Sequence, residues 1–312
     1  MIIKAYIGGY DILDNKKRSA AAKAALLAAA IIWGSSFIVV KGTVDLLPPN
    51  MLLGVRFTIG FCVLALIFRK RLKQIDKGYL LSGALIGVFL FAAYCVQTYG
   101  IQTTTPGKNA FLTAIYCVIV PFLFWAVNKK RPDKYNFIAV FVCITGIGLV
   151  SLTGSFSIER GDALTLASGV MYACHIVAIA KLSGSRDPIL LTILQFGTAA
   201  ILAWILSLAT ETVSPAMFTP DAIKALLYLA LGGTSTAVLL QNIGQKYTDP
   251  SSAGIIMSLE SVFGVLFSVF FYGEQLTGRL VMGFVLIFLA VLISETKLSF
   301  LRGKPGAKTG NG

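Results

Sequence analysis

The chain has 312 residues, of which 56% are hydrophobic and only 13% charged, whereas a soluble domain carries about 25% charged residues. That excludes an ordinary soluble enzyme and specifies a polytopic membrane protein. The net charge of +13 sits between apolar runs, where basic residues set topology and meet anionic lipid, so the bilayer and not nucleic acid is the expected partner.

In chain order, residues 1–22 form a polar, basic tail without strong periodicity. No short apolar segment with a cleavage-type ending precedes the first long run, so that run reads as an anchor. Ten apolar runs follow, at 23–41, 50–68, 79–99, 107–127, 135–153, 162–182, 188–209, 222–242, 252–272 and 279–296. Each is close to the ~20 residues that carry a helix across a bilayer. Barrel strands would instead alternate in polarity over about ten residues. Residues 297–312 form a second basic, Gly-rich tail.

Cys62, Cys95, Cys117, Cys143 and Cys174 all lie within apolar runs and make no C-x2-C pair, so neither a disulfide framework nor a metal or other cofactor site is expected.

A stretch Q-x2-G-x3-T-x-P occurs twice, at Gln97–Pro106 and Gln241–Pro250, a shift of 144 residues. A second register, shifted by 139, lays Trp33 on Tyr172, Pro49 on Pro188, Leu52 on Leu191, Arg56 on Gln195 and Phe57 on Phe196. The chain thus divides into two five-helix repeats, 23–153 and 154–296.

The basic residues orient it. Arg69, Lys70, Arg71, Lys73 and Lys77 share a side with Lys129, Lys130, Arg131 and Lys134 and with both tails; the other side holds only Lys41, Lys108, Arg160, Lys224 and Arg279. Both termini are expected in the cytoplasm of a cell-membrane protein. Five spans per repeat invert the second repeat against the first, the architecture of alternating-access transporters.

These residues resemble the paired EamA-type repeats of the drug/metabolite transporter superfamily. The resemblance rests on Trp33-Gly34-Ser35-Ser36-Phe37, Arg56-Phe57, Gln102-Thr103-Thr104-Thr105-Pro106, Ser258-Leu259-Glu260-Ser261-Val262-Phe263 and Tyr272-Gly273-Glu274-Gln275-Leu276-Thr277. It covers about residues 24–296. Where the second half has Gly273-Glu274, the first has Lys129-Lys130. The resemblance implies secondary active transport, usually export, of amino acids, other metabolites or drugs. It implies no ATP-binding domain, and no G-x4-G-K-[ST] is present.

Three ionisable residues fall well inside runs: Arg56, His175 and Glu260. Each costs about 2.5–3.5 kcal/mol at mid-bilayer, so such residues default to function. Glu260 is the leading candidate for binding a proton or a substrate ammonium; a structural hydrogen bond is its alternative. His175, the only histidine, suits proton exchange or packing. Arg56 suits an anionic group or a tie between helices. Trp33, Tyr94, Tyr116 and Tyr172 suit an apolar or aromatic substrate in a central cavity, or packing. Gln97 and Gln241, the symmetric pair of the duplicated stretch, line a pathway or satisfy the turn. An intramembrane enzyme using His175 and Glu260 lacks H-E-x2-H, G-x-S-x-G or a Gly-flanked aspartate pair. A channel lacks a selectivity segment or ring of like charges. Substrate, coupling ion, with protons a candidate, and oligomeric state stay open.

Overall fold

The computed structural model describes residues 15–129, 131–152, 158–184, 186–248 and 250–298. Among them ten helices are long and apolar enough to cross a membrane. They are α1 (Asn15–Val44), α2 (Pro49–Ile67), α3 (Lys77–Thr103), α4 (Pro106–Asn128) and α5 (Lys134–Ser151). The second repeat supplies α6 (Arg160–Leu182), α7 (Pro188–Thr210), α8 (Pro220–Gln245), α9 (Ala253–Tyr272) and α10 (Gly278–Thr296).

Two helices run past their expected ends. α1 begins at Asn15, inside the segment expected as tail, and α3 continues to Thr103. Hydropathy marks only the apolar part of a helix, whereas the backbone hydrogen bonds continue through its polar last turns.

The helix starts are written locally. Proline opens α2, α4, α7 and α8, where its missing N–H costs nothing and its fixed φ suits the first turn. Asp76, Thr105, Asp187, Thr219 and Thr277 each accept a backbone N–H of the turn they cap. Asp133 and Asn136 form a full capping box at α5.

Packing runs mostly between the repeats and only weakly within them. α2 lies on α7, α4 on α9 and α5 on α10; α3 packs against α6 and α7, and α1 against α8 and α9. The pattern is symmetric: exchanging first-repeat helices for their second-repeat counterparts maps one contact onto another. The largest core joins Leu52, Leu53 and Phe57 of α2 to Ile189, Ile193 and Phe196 of α7. The outer surface keeps large apolar side chains such as Leu81, Phe141, Leu208 and Phe270 more than 70% exposed, which water would penalise and lipid tails do not.

Three spans depart from regular α-helix. α4 breaks after Thr113 and resumes at Tyr116. α8 carries a π-helical segment over Tyr228–Thr236, and α9 ends in another over Ser268–Tyr272. Such segments leave carbonyls outside the regular ladder and recur at functional sites.

Candidate functional site

A cavity of about 440 Å³ lies between the two repeats, within the range of small-molecule sites. All nine residues singled out from the sequence line it: Trp33, Arg56, Tyr94, Gln97, Tyr116, Tyr172, His175, Gln241 and Glu260.

Arg56, 3% exposed, projects from α2 towards the π segment of α8. Its Nε donates to Thr234 Oγ1 at 2.6 Å and one terminal nitrogen to the Gly233 carbonyl at 3.4 Å. The same carbonyl accepts the Trp33 indole N–H at 2.8 Å. A methyl group at Gly233 would press on Ser36 Oγ at 2.7 Å and on the guanidinium at 3.3 Å, so the glycine leaves both side chains room in their present positions. The Arg56 guanidinium carbon stands 4.8 Å from the centre of the Tyr94 ring, a cation–π distance. Among the described residues no carboxylate pairs with it.

From Tyr94 a file of rings crosses the cavity. Tyr94 meets Tyr172 edge-on at 5.5 Å, and Tyr172 meets Tyr116 at 6.2 Å. Gln97 is held beside the file, donating to Thr113 Oγ1 at 2.9 Å and accepting from the Tyr172 hydroxyl at 3.0 Å. Its counterpart Gln241 lines the cavity with no protein partner among the described residues. His175 shares a 2.7 Å hydrogen bond with Gln195, the residue that corresponds to Arg56 in the second repeat.

Glu260 is 8% exposed and reaches the cavity from α9. Among the described residues nothing hydrogen-bonds to it or forms an ion pair with it. A carboxylate buried without a partner is costly, and here its exposure is to the cavity that it lines. A second carboxylate, Glu295 of α10, lines the same cavity. It lies against Gly254 in α9, and the Cys117 thiol is its hydrogen-bond partner. Sequence reading passed over Glu295 because it stands at the end of the last run and resembles a helix-ending polar residue. It also passed over Asn109, which lines the cavity and whose Oδ1 is buried and unpartnered. That asparagine follows Pro106 by three positions, so the duplicated Thr-x-Pro turn was its signal.

The cavity extends to Ser183 and Pro188 of the α6–α7 connection and to Gln245 and Gly254 at the ends of α8 and α9. This is the end of the bundle that carries the described ends of the chain. The opposite end is bonded shut. There the Lys41 ammonium donates to the Ile101 and Gln102 carbonyls, both at 2.8 Å, satisfying the C-terminal end of α3. Three carboxylates of the second repeat clasp helix starts of the first. Glu211 accepts from the Asn50 and Met51 backbone N–H groups at 2.8 and 2.9 Å. Glu274 accepts from the Gly107 N–H at 3.1 Å and from the Thr105 hydroxyl. Asp162, fully buried, accepts from Thr104 Oγ1 at 2.5 Å and Lys108 Nζ at 3.1 Å. Each anion meets the positive end of a helix or a cation beside it.

Comparison with known proteins agrees with this architecture. The EamA-like transporter family matches the chain twice, over residues 21–152 and 159–296. An uncharacterized transporter of Archaeoglobus fulgidus is 35% identical over 268 residues, covering 86% of this chain and 83% of its own. The uncharacterized inner membrane transporter YedA of Escherichia coli is 25% identical over 286 residues, covering 86% and 89%. The uncharacterized transporter YvbV of Bacillus subtilis is likewise 25% identical, over 274 residues. One solved crystal structure superposes with a TM-score of 0.62 over 90% of this chain and 99% of its own; at 16% identity the likeness is of fold alone. Two successive family matches over two five-helix repeats, joined around one cavity, give the conclusion that the chain belongs to the EamA-like transporter family.

Proposed function

We propose that this transporter is a secondary active exporter, moving small metabolites such as amino acids, or drugs, across the cell membrane by alternating access. One observation carries the reading: a cavity between the repeats reaches one end of the bundle while three carboxylates clasp the other end. The clasped end is rich in bonds between the repeats, so it can open only if they move against each other. The charge bias of the loops supports a cytoplasmic open end, with both termini on that side. Capture from the cytoplasm then leads to release outside, the direction the family resemblance implies. Glu260, with no protein partner, takes the substrate ammonium or a coupling proton.

Counterflow in proteoliposomes tests this. Vesicles preloaded with amino acids, nucleosides or cationic drugs are expected to accumulate the labelled counterpart of one class. Glu260→Gln, inserted and folded, is expected to lose most of that exchange. Absence of exchange across the panel, or downhill flux without counterflow as in a channel, overturns the reading.

A further inference from the structure

The charged groups of the cavity follow a pattern that narrows its ligand. Arg56 and Glu260 are both buried, both line the cavity, and neither has a counter-ion among the described residues. Glu295, likewise without a cation, adds a second negative group. His175 is engaged with Gln195. Among the described residues the cavity therefore offers one cation and two carboxylates.

Their order along the bundle is fixed by the helices that bear them. With the clasped ends of α2, α9 and α10 level, a rise of about 1.5 Å per residue puts Glu260 about 8 Å and Glu295 about 15 Å nearer the open end than Arg56. The order along the bundle, cation first and then two successive carboxylates, is the order of charges along an extended diamino acid.

We propose that the cavity binds a diamino monocarboxylic acid: its carboxylate on Arg56, its α-ammonium on Glu260 and its distal ammonium on Glu295. The aliphatic chain between the amines lies along Tyr116. The inference rests on the transporter reading above and names the substrate class of that same cavity.

The test is equilibrium binding to the full chain in lipid nanodiscs, with free lysine, ornithine, norleucine and cadaverine as probes. Norleucine keeps the lysine shape without the distal amine, and cadaverine removes the carboxylate. Lysine or ornithine is expected to bind at least about tenfold more tightly than norleucine, a difference of about 1.4 kcal/mol. Glu295→Gln is expected to bring that ratio close to unity by weakening lysine far more than norleucine, an effect that loss of fold does not produce. Arg56→Gln is expected to equalise lysine and cadaverine. Equal affinity for lysine and norleucine, a ratio that survives Glu295→Gln, or no binding of any probe by the folded protein overturns the proposal. Counterflow of a different substrate class, with those results, leaves the transporter reading standing and removes only the diamino specificity.

Discussion

Glu211, at the end of α7, holds the first turn of α2 through Asn50. Its Oε1 accepts both the Asn50 backbone N–H, at 2.8 Å, and the side-chain amide, at 2.9 Å. The same amide also donates to the Tyr99 hydroxyl at 2.8 Å, so one side chain ties α2, α3 and α7 together.

Removing that charge is expected to loosen the closed end. Glu211→Gln leaves two helix-start N–H groups facing a neutral amide, a loss of about 1–3 kcal/mol by the worth of hydrogen bonds to charged groups. Thermal unfolding in detergent is expected to shift downward. A thiol reagent added from the clasped side is expected to label a cysteine placed at Thr98 faster than in the parent. Unchanged labelling removes Glu211 from the closure.

Gly107 gives an independent handle on the same end. A methyl group there would collide with the Glu274 carboxylate. Gly107→Ala is therefore expected to break the Glu274 bridge to Thr105 and to open that end more than Glu211→Gln does, at a cost of about 1–3 kcal/mol. Labelling equal to the parent contradicts this.

Arg56→Lys keeps the charge but not the planar fork, so it cannot serve Thr234 and Gly233 while lying over Tyr94. Transport is expected to fall at least about tenfold, equivalent to about 1.4 kcal/mol. Tm is expected to change less than on replacement by Ala. Full transport by the lysine variant makes the stacking on Tyr94 irrelevant.

Outside the spans, Asp133 offers a pH test. Burial alone would push its carboxyl up, but hydrogen bonds from Lys297, Asn136 and Tyr135 outweigh that and hold it below the ordinary aspartate range. A carboxyl lowered on folding stabilises the protein above the unfolded value, about 3.9, and loses that contribution as pH falls through the lower folded value. The 2.7 Å pair with Lys297 is partly exposed, so its worth is at most about 1 kcal/mol. Asp133→Asn is expected to lower Tm slightly at neutral pH, and the gap to the parent is expected to vanish well below pH 4. A gap that persists in strong acid assigns the effect to the cap geometry and not the charge.

Much of this was legible in the sequence because hydrophobic run length and a duplicated stretch are read without tertiary information. Arg56, His175 and Glu260 stood out because ionisable groups inside apolar runs are costly, and Trp33 and the tyrosines because rings within spans suit a central cavity. Glu295, Asp162, Glu211 and Glu274 did not, since each sits at the end of a run, where a carboxylate looks solvated. Lys41 was read only as a charge on the outer side, at the end of the first run, yet it is 8% exposed and bound to the end of α3. What each of these residues touches is set by the repeat on the other side of the cavity, and no local pattern carries that information. The π segment of α8, which presents Gly233 to Trp33 and Arg56, was equally invisible, because its composition is that of an ordinary helix.

The clasp is one-sided. Its carboxylates all come from the second repeat, and in the repeat registers Asp162 and Glu274 fall on Lys23 and Lys130. At the other end those two positions hold cations, and the repeats are joined there by different pairs, Arg71 with Asp187 at 2.8 Å and Lys297 with Asp133 at 2.7 Å. The two halves are thus alike in shape but not in the chemistry that joins their ends. Under the proposed cycle the two ends part by breaking different bonds, so a charge change at one end leaves the contacts of the other intact.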